Sequence, residues 1–202
     1  MIIGKWNKSV ILTYIGLIFS ILGMFLCITK ENSVNIVMSC LIISGICDLF
    51  DGFIARKCKR NEEEKMFGIQ LDSLVDVINF IAFPIVIFIK NISYYNLPAF
   101  ITFAICGIAR LAYFNIKVED SGKPVKYYTG LPVTYTALIF PLIYLFKYIL
   151  PLNIFDIIFT LSIYLVSLLN ILNIKFLKPK GMAYLFFSLL AIIVLILYLG
   201  VL

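Results

Sequence analysis

Apolar residues run almost unbroken through seven stretches of the chain, at about 10–29, 34–55, 69–89, 97–116, 131–150, 154–174 and 182–201. Each is close to the ~20 residues that a helix needs to cross a hydrocarbon core of ~30 Å. Polar punctuation separates them: Lys30-Glu31-Asn32, the charged stretch Arg56 to Lys65, Lys90-Asn91, the polar segment Lys117 to Lys126, Pro151, and Lys175 to Gly181. The pattern predicts seven spans. The third is interrupted from within by Asp72, Asp76 and Asn79. No internal repeat and no low-complexity tail is visible.

Composition turns that pattern into a class. Of 202 residues, 62% are hydrophobic and 14% charged, with a mean hydropathy of +1.05. Soluble domains run at about 45–50% apolar and ~25% charged, so one water-facing core cannot hide this excess. The expectation is an all-α integral membrane protein. Residues 1–202 form a single membrane domain, a polytopic bundle of six core transmembrane helices over about 10–174 plus a seventh at about 182–201. The chain has no histidine, which excludes imidazole catalysis and zinc held by His. Its cysteines, at 27, 40, 47, 58 and 106, form no CxxC pair and read as packing residues rather than a disulfide or thiolate-metal framework.

Charge then orients the bundle. Fourteen of the 17 cations fall in one set of alternate loops, and Lys30, Lys90 and Lys147 fall in the other. The positive-inside bias places the N-terminus in the cytosol and Leu202 outside. The first apolar run has no small-residue cleavage site after it, so it reads as a retained span. The net charge of +6 faces anionic lipid headgroups and requires no nucleic acid. Lys117, Lys123 and Lys126 belong to that headgroup-facing set, and Tyr94, Tyr95, Tyr127 and Tyr128 read as interfacial anchors.

Four of the eleven acidic residues lie inside apolar runs, as Asp48 and Asp51 in the second and Asp72 and Asp76 in the third. An Asp at a helix centre costs about 2.5–3.5 kcal/mol on insertion scales, so these need compensation. A rise of ~1.5 Å per residue from Val34 puts Asp48 roughly 21 Å and Asp51 roughly 26 Å into the second span. From Gly68, running the other way, Asp72 and Asp76 lie about 6 and 12 Å deep. All four therefore reach the cytosolic half. Asp48 and Asp51 are i,i+3 with Ala55 at i+7, and Asp72 and Asp76 are i,i+4 with Asn79 at i+7, so each set occupies one helix face. Hard carboxylate oxygens without His or Cys suit Mg²⁺ or Mn²⁺, and two such ions balance four carboxylates. Inter-helix salt bridges are the competing reading, but intramembrane cations are too few. Gly52 and Ala55 beside the first pair leave room for a flat base or a phosphate, and are equally routine in membrane helix packing.

Written out, the spacing is Asp48-x2-Asp51-Gly52-x2-Ala55-Arg56, eleven residues, then Gly68-x3-Asp72-x3-Asp76. This closely resembles the signature of the CDP-alcohol phosphotransferases, integral membrane enzymes of phospholipid synthesis. The Arg56 to Gly68 spacer is three residues longer than is usual there, with the charged stretch Asn61 to Lys65 inside it. Leu71-Asp72-Ser73 through Phe80 with Pro84, Gly107 through Asn115, and Gly130-Leu131-Pro132 are similar to the phosphatidylserine synthase branch. Tyr113 stands where that branch usually has Arg, and Val133-Thr134-Tyr135 replaces its usual small residues and Pro. The similarity covers about residues 10–150.

The resemblance implies a function. Asp48, Asp51, Asp72 and Asp76 would ligate two Mg²⁺ or Mn²⁺ ions that clamp the diphosphate of a CDP-diacylglycerol-type lipid, with Asp76 also the general base. Asp48, Gly52, Ala55, Arg56, Gly68 and Asp72 would line the nucleotide site. L-serine would attack, CMP would leave, and Arg110 and Asn79 are candidates for contact with the acceptor or a phosphate. Other acceptors, glycerol phosphate or inositol phosphate, would need several convergent cations. A divalent cation transporter is the rival from another class, and would place its acids near the midplane on broken helices. The resemblance also implies a homodimer. Abundant Ile, Lys and Asn suits the cell membrane of a prokaryote with an AT-rich genome, the active site facing the cytosol.

Overall fold

The computed structural model describes residues 4–31, 33–91, 96–121, 127–177 and 182–200. The predicted roles of Lys123, Lys126, Tyr94 and Tyr95, and of the side chains of Lys117 and Tyr127, lie outside what is described. The helices are α1 (Ile11–Thr29), α2 (Val34–Lys57), α3 (Glu62–Asp76), α4 (Phe83–Asn91), α5 (Leu97–Ser121), α6 (Thr136–Tyr144), α7 (Leu152–Ile171) and α8 (Met182–Gly200). Among the described residues, six helical segments are long and apolar enough to span a membrane, one of them the continuous Glu62–Lys90. The chain is thus an integral membrane protein. The expected fifth span is the shorter Val133–Tyr148, because Pro132 starts it late and 3-10 turns flank α6 at both ends.

The helices pack as lipid-solvated helices do, with small residues inside and bulky ones outside. α1 buries Thr13, Gly16, Ser20, Gly23 and Cys27 and exposes Ile11, Ile15, Ile18, Phe25 and Ile28. Its buried stripe meets α2 and α4, and Ser20 Oγ donates to Ser44 Oγ at 3.0 Å. A Cβ on Gly23 would overlap the Phe83 ring, so only glycine permits that approach. All five cysteines are free, and all but Cys58 are buried in helix contacts.

The charged stretch after α2 is not a plain loop. Asn61 Oδ1 accepts from Glu64 N–H and Glu64 Oε2 accepts from Asn61 N–H, both at 2.8 Å, a capping box. Glu62, Glu63 and Glu64 fill the first turn, where the helix dipole favours acids. α3 therefore starts seven residues before the apolar run. The additional spacer residues supply a capped, polar start to the span.

α3 and α4 are joined by π-helix, Val77–Ala82, in which Phe83 N–H reaches back five residues to Ile78 C=O. Pro84 explains the switch. It has no N–H for the Phe80 carbonyl four residues earlier, and its ring crowds that carbonyl. The buried Thr136 hydroxyl of α6 donates toward Phe80 O at 3.1 Å and Val133 O at 2.7 Å. Thr136→Val removes both contacts of this hydroxyl and should cost about 0.5–1.5 kcal/mol, read as a lowered unfolding midpoint in detergent.

Beyond the π segment, an aromatic core closes the bundle. Phe88 of α4 lies 4.5 Å from the Phe159 ring and 5.3 Å from Phe140, both edge-on. At the other end, a short antiparallel ladder pairs β1 (Tyr127–Thr129) with β2 (Lys175–Leu177). It was not legible in the apolar pattern. α8 packs on α2 and α6, and Tyr198 Oη donates to Pro141 O at 2.7 Å.

Candidate active site

The carboxylates come from the second half of α2 and the C-terminal end of α3. One carboxylate oxygen each of Asp48, Asp72 and Asp76 lies within 4.8 Å of the others. Asp51 sits beside them, 8% exposed, and accepts from Thr13 Oγ1 of α1 at 2.9 Å. The carboxyl groups lie close to one another across the two helices, Asp48 beside Asp76 and Asp51 beside Asp72. Two stripes on two helices thus converge, as i,i+3 and i,i+4 spacing requires.

Facing carboxylates repel unless a proton or cation lies between them. The donor set is all oxygen, close-spaced and largely buried, which fits a hard divalent ion such as Mg²⁺ or Mn²⁺. The residues present therefore suit the metal that the acidic pattern implied.

Beside the cluster lies an open cavity of about 250 Å³, lined by Asp51, Gly52, Ala55, Arg56, Gly68 and Asp72 among others. It gathers five of the six residues expected at a nucleotide site, while Asp48 lies behind it in a smaller space between α1, α2 and α3. Ser9, Thr13 and Arg60 complete its wall, and none of these was singled out by the sequence reading. The available signals were weak, a Ser and a Thr at the head of an apolar run and one Arg among several in the long spacer. Arg60 is positioned by that spacer, its guanidinium within 3.7 Å of where a Gly68 side chain would begin. The N-terminal segment is tied down nearby. Lys5 Nζ and Glu63 Oε2 are 2.6 Å apart, and this hydrogen-bonded pair raises the Lys5 pKa.

The two candidate acceptor residues separate. Asn79 is buried in the π segment, facing the small space with Asp48, Asp51, Asp76 and Gly16, so it belongs to the α1 side of the cluster. Arg110 lies on α5, 7% exposed, close enough to Asp76 and Asp48 to interact with both charges. Its guanidinium stands over the Phe114 ring at 5.2 Å. It lines a separate cavity of about 320 Å³ with Thr129, Asn170 and Asn173. Those asparagines come from the end of α7 and the turn after it, where the sequence offered only amides in an apolar run.

Comparison with known proteins is consistent with this geometry. The sequence model of the CDP-alcohol phosphatidyltransferases matches residues 6–172. The chain is 28% identical over 155 residues to the archaetidylserine synthase of Methanothermobacter thermautotrophicus, covering 75% of this chain and 62% of that one. Over 102 residues it is 36% identical to the CDP-diacylglycerol–serine O-phosphatidyltransferase of Methanocaldococcus jannaschii, covering 50% and 46%. The enzyme of the same name from Bacillus subtilis is 32% identical over 96 residues, covering 45% and 50%. The chain thus spans between 46 and 62% of the length of these relatives. No solved structure matches it. The match runs through both Asp-bearing helices and their cavities, and the chain belongs to the CDP-alcohol phosphatidyltransferase family.

Proposed function

We propose that the chain transfers a phosphatidyl-type group from a CDP-diacylglycerol-type lipid to the hydroxyl of L-serine, releasing CMP. The observation that carries this is the convergence of Asp48, Asp72 and Asp76 within 4.8 Å, next to a cavity walled by glycine, alanine and arginine. The names of the relatives support serine as acceptor.

In this reading, Asp48, Asp51, Asp72 and Asp76 hold two divalent cations, Mg²⁺ or Mn²⁺, which when bound neutralise charge on the donor's phosphoryl oxygens. Gly52, Ala55 and Gly68 admit the nucleotide, with Arg56 and Arg60 as donors at the cavity wall. Asp76 takes the proton of the serine hydroxyl as its oxygen attacks the lipid-side phosphorus. The bond from that phosphorus to the CMP oxygen breaks, and CMP leaves with the electron pair. Asn79, packed with Asp76, orients that base. Arg110 presents its guanidinium to the serine carboxylate.

The cavity around Arg110 favours serine over a phosphate-bearing acceptor, since Arg110 is the sole cation among its described lining residues. A transporter is disfavoured because α2 runs unbroken through Asp48 and Asp51. The reading includes a cytosolic active site in a prokaryotic membrane and the homodimer implied by resemblance. Purified protein with Mn²⁺ or Mg²⁺ should release CMP from CDP-diacylglycerol only when serine is added. Equal or faster release with glycerol phosphate or an inositol phosphate would reassign the acceptor, and none with any alcohol would refute the transferase reading.

A further inference from the structure

We infer that Asn170 is a specificity-determining residue that recognises the α-amino and carboxylate groups of the acceptor; this rests on the serine reading above. Asn170 sits on the last turn of α7, 2% exposed. Its Oδ1 and Nδ2 are both buried without a hydrogen-bond partner. A buried primary amide with neither end satisfied is unusual and unfavourable. Asn170 is a lining residue of the cavity that also holds Arg110, whose Nε is likewise buried and unpartnered. Two open polar groups in one cavity point to a ligand that completes both.

The position is held firmly. Leu131 N–H donates to Leu169 O and Gly130 N–H to Ile174 O, each at 2.9 Å. Gly130 has φ +74°, and a Cβ there would collide with the Asn170 carbonyl oxygen, so the strand leading to Leu131 lies directly on the end of α7. Clamped backbone fixes where the Asn170 amide begins, which is what a recognition group needs.

Chemistry selects the ligand class. An α-amino acid presents a carboxylate, an ammonium and, in serine, the reacting hydroxyl. Arg110 offers donors only, which suits the carboxylate. The described lining residues of the cavity include no acid, so an uncharged acceptor must take the ammonium. Asn170 Oδ1 is that acceptor, and Nδ2 adds a donor to the carboxylate.

The test is steady-state kinetics of CMP release with serine and CDP-diacylglycerol varied separately. Asn170→Leu, close in volume but apolar, should raise the serine KM by ~10-fold or more and leave the CDP-lipid KM within twofold. Asn170→Asp keeps an ammonium acceptor but loses the donor to the carboxylate, and should raise the serine KM by a smaller factor. A serine KM within twofold of the wild type in both variants overturns the inference. So does a joint rise of both KM values with a lowered unfolding midpoint, which marks a merely structural amide. Should the Leu variant fail to accumulate, the Asp variant decides by the same criteria. A wild type that releases no CMP with serine instead overturns the serine reading, and with it this inference.

Discussion

In the proposed reaction, Asp76→Asn should lower the rate of serine-dependent CMP release by about 10²–10⁴-fold, the span that general-base catalysis contributes, while affinity for CDP should fall much less. The substitution preserves side-chain shape and one coordinating oxygen, and removes the ability to take a proton. No other group in the chain can replace it easily. Histidine is absent, and the neighbouring carboxylates, Asp48 and Asp72, share the same small volume within 4.8 Å and are committed as ligands in the proposed mechanism. The check pairs initial rates of CMP release with CDP binding followed by thermal shift. Full activity in Asp76→Asn would remove it as base. Equal loss of binding and turnover would leave it as a ligand alone.

Removing divalent cations should abolish the proposed activity, and restoring Mg²⁺ or Mn²⁺ should recover it. Four Asp side chains in a cluster this tight, with contacts between Asp48 and Asp76 and between Asp51 and Asp72, cannot bind a diphosphate while anionic and unneutralised. Chelation with EDTA should therefore reduce CMP release to background. Asp72→Ala should raise the half-saturating metal concentration by ~10-fold or more, the scale at which weakened metal shells lose affinity. Metal titrations of the rate on wild type and variant measure both effects. Activity that survives exhaustive chelation would sink the metal assignment.

Much of the site was legible because helical periodicity is a local rule. Asp48 with Asp51, and Asp72 with Asp76, fall on single faces at fixed spacing whatever surrounds them. Depth arithmetic then brought the two faces to one level, because both spans are long helices with a constant rise. The start of α3 was also written locally. Asn61 with Glu64 is a capping pair, but apolar counting passes over it, since the first turn of that span is Glu62 to Glu64. The π segment had a sequence cause in Pro84, yet Pro84 alone permits a kink or a break as readily. What stabilises this outcome is the Thr136 hydroxyl, 56 residues from Phe80.

Asn79 shows where local reasoning stops. Its spacing from Asp72 put it on the catalytic face, and it does share the small space with Asp48, Asp51 and Asp76, but only the packing of α1 shows that its amide also lies against Gly16. Asn170 shows the converse. Nothing near it in sequence marks it, and its meaning comes from Arg110 across the same cavity.

The sequence by itself determined the solvent of this protein, the approximate bounds of six of its seven expected spans, and which carboxylates share a helix face. These follow from composition, length and helical period, each fixed within one segment. Tertiary structure decided how the acids are juxtaposed, which residues of α1, the α2–α3 spacer and α7 complete the two cavities, and that Arg110 is the one cation among the described residues lining its cavity. Those depend on contacts between helices far apart in the chain. In lipid, such contacts are set by small-residue packing and buried hydrogen bonds, which no segment specifies alone.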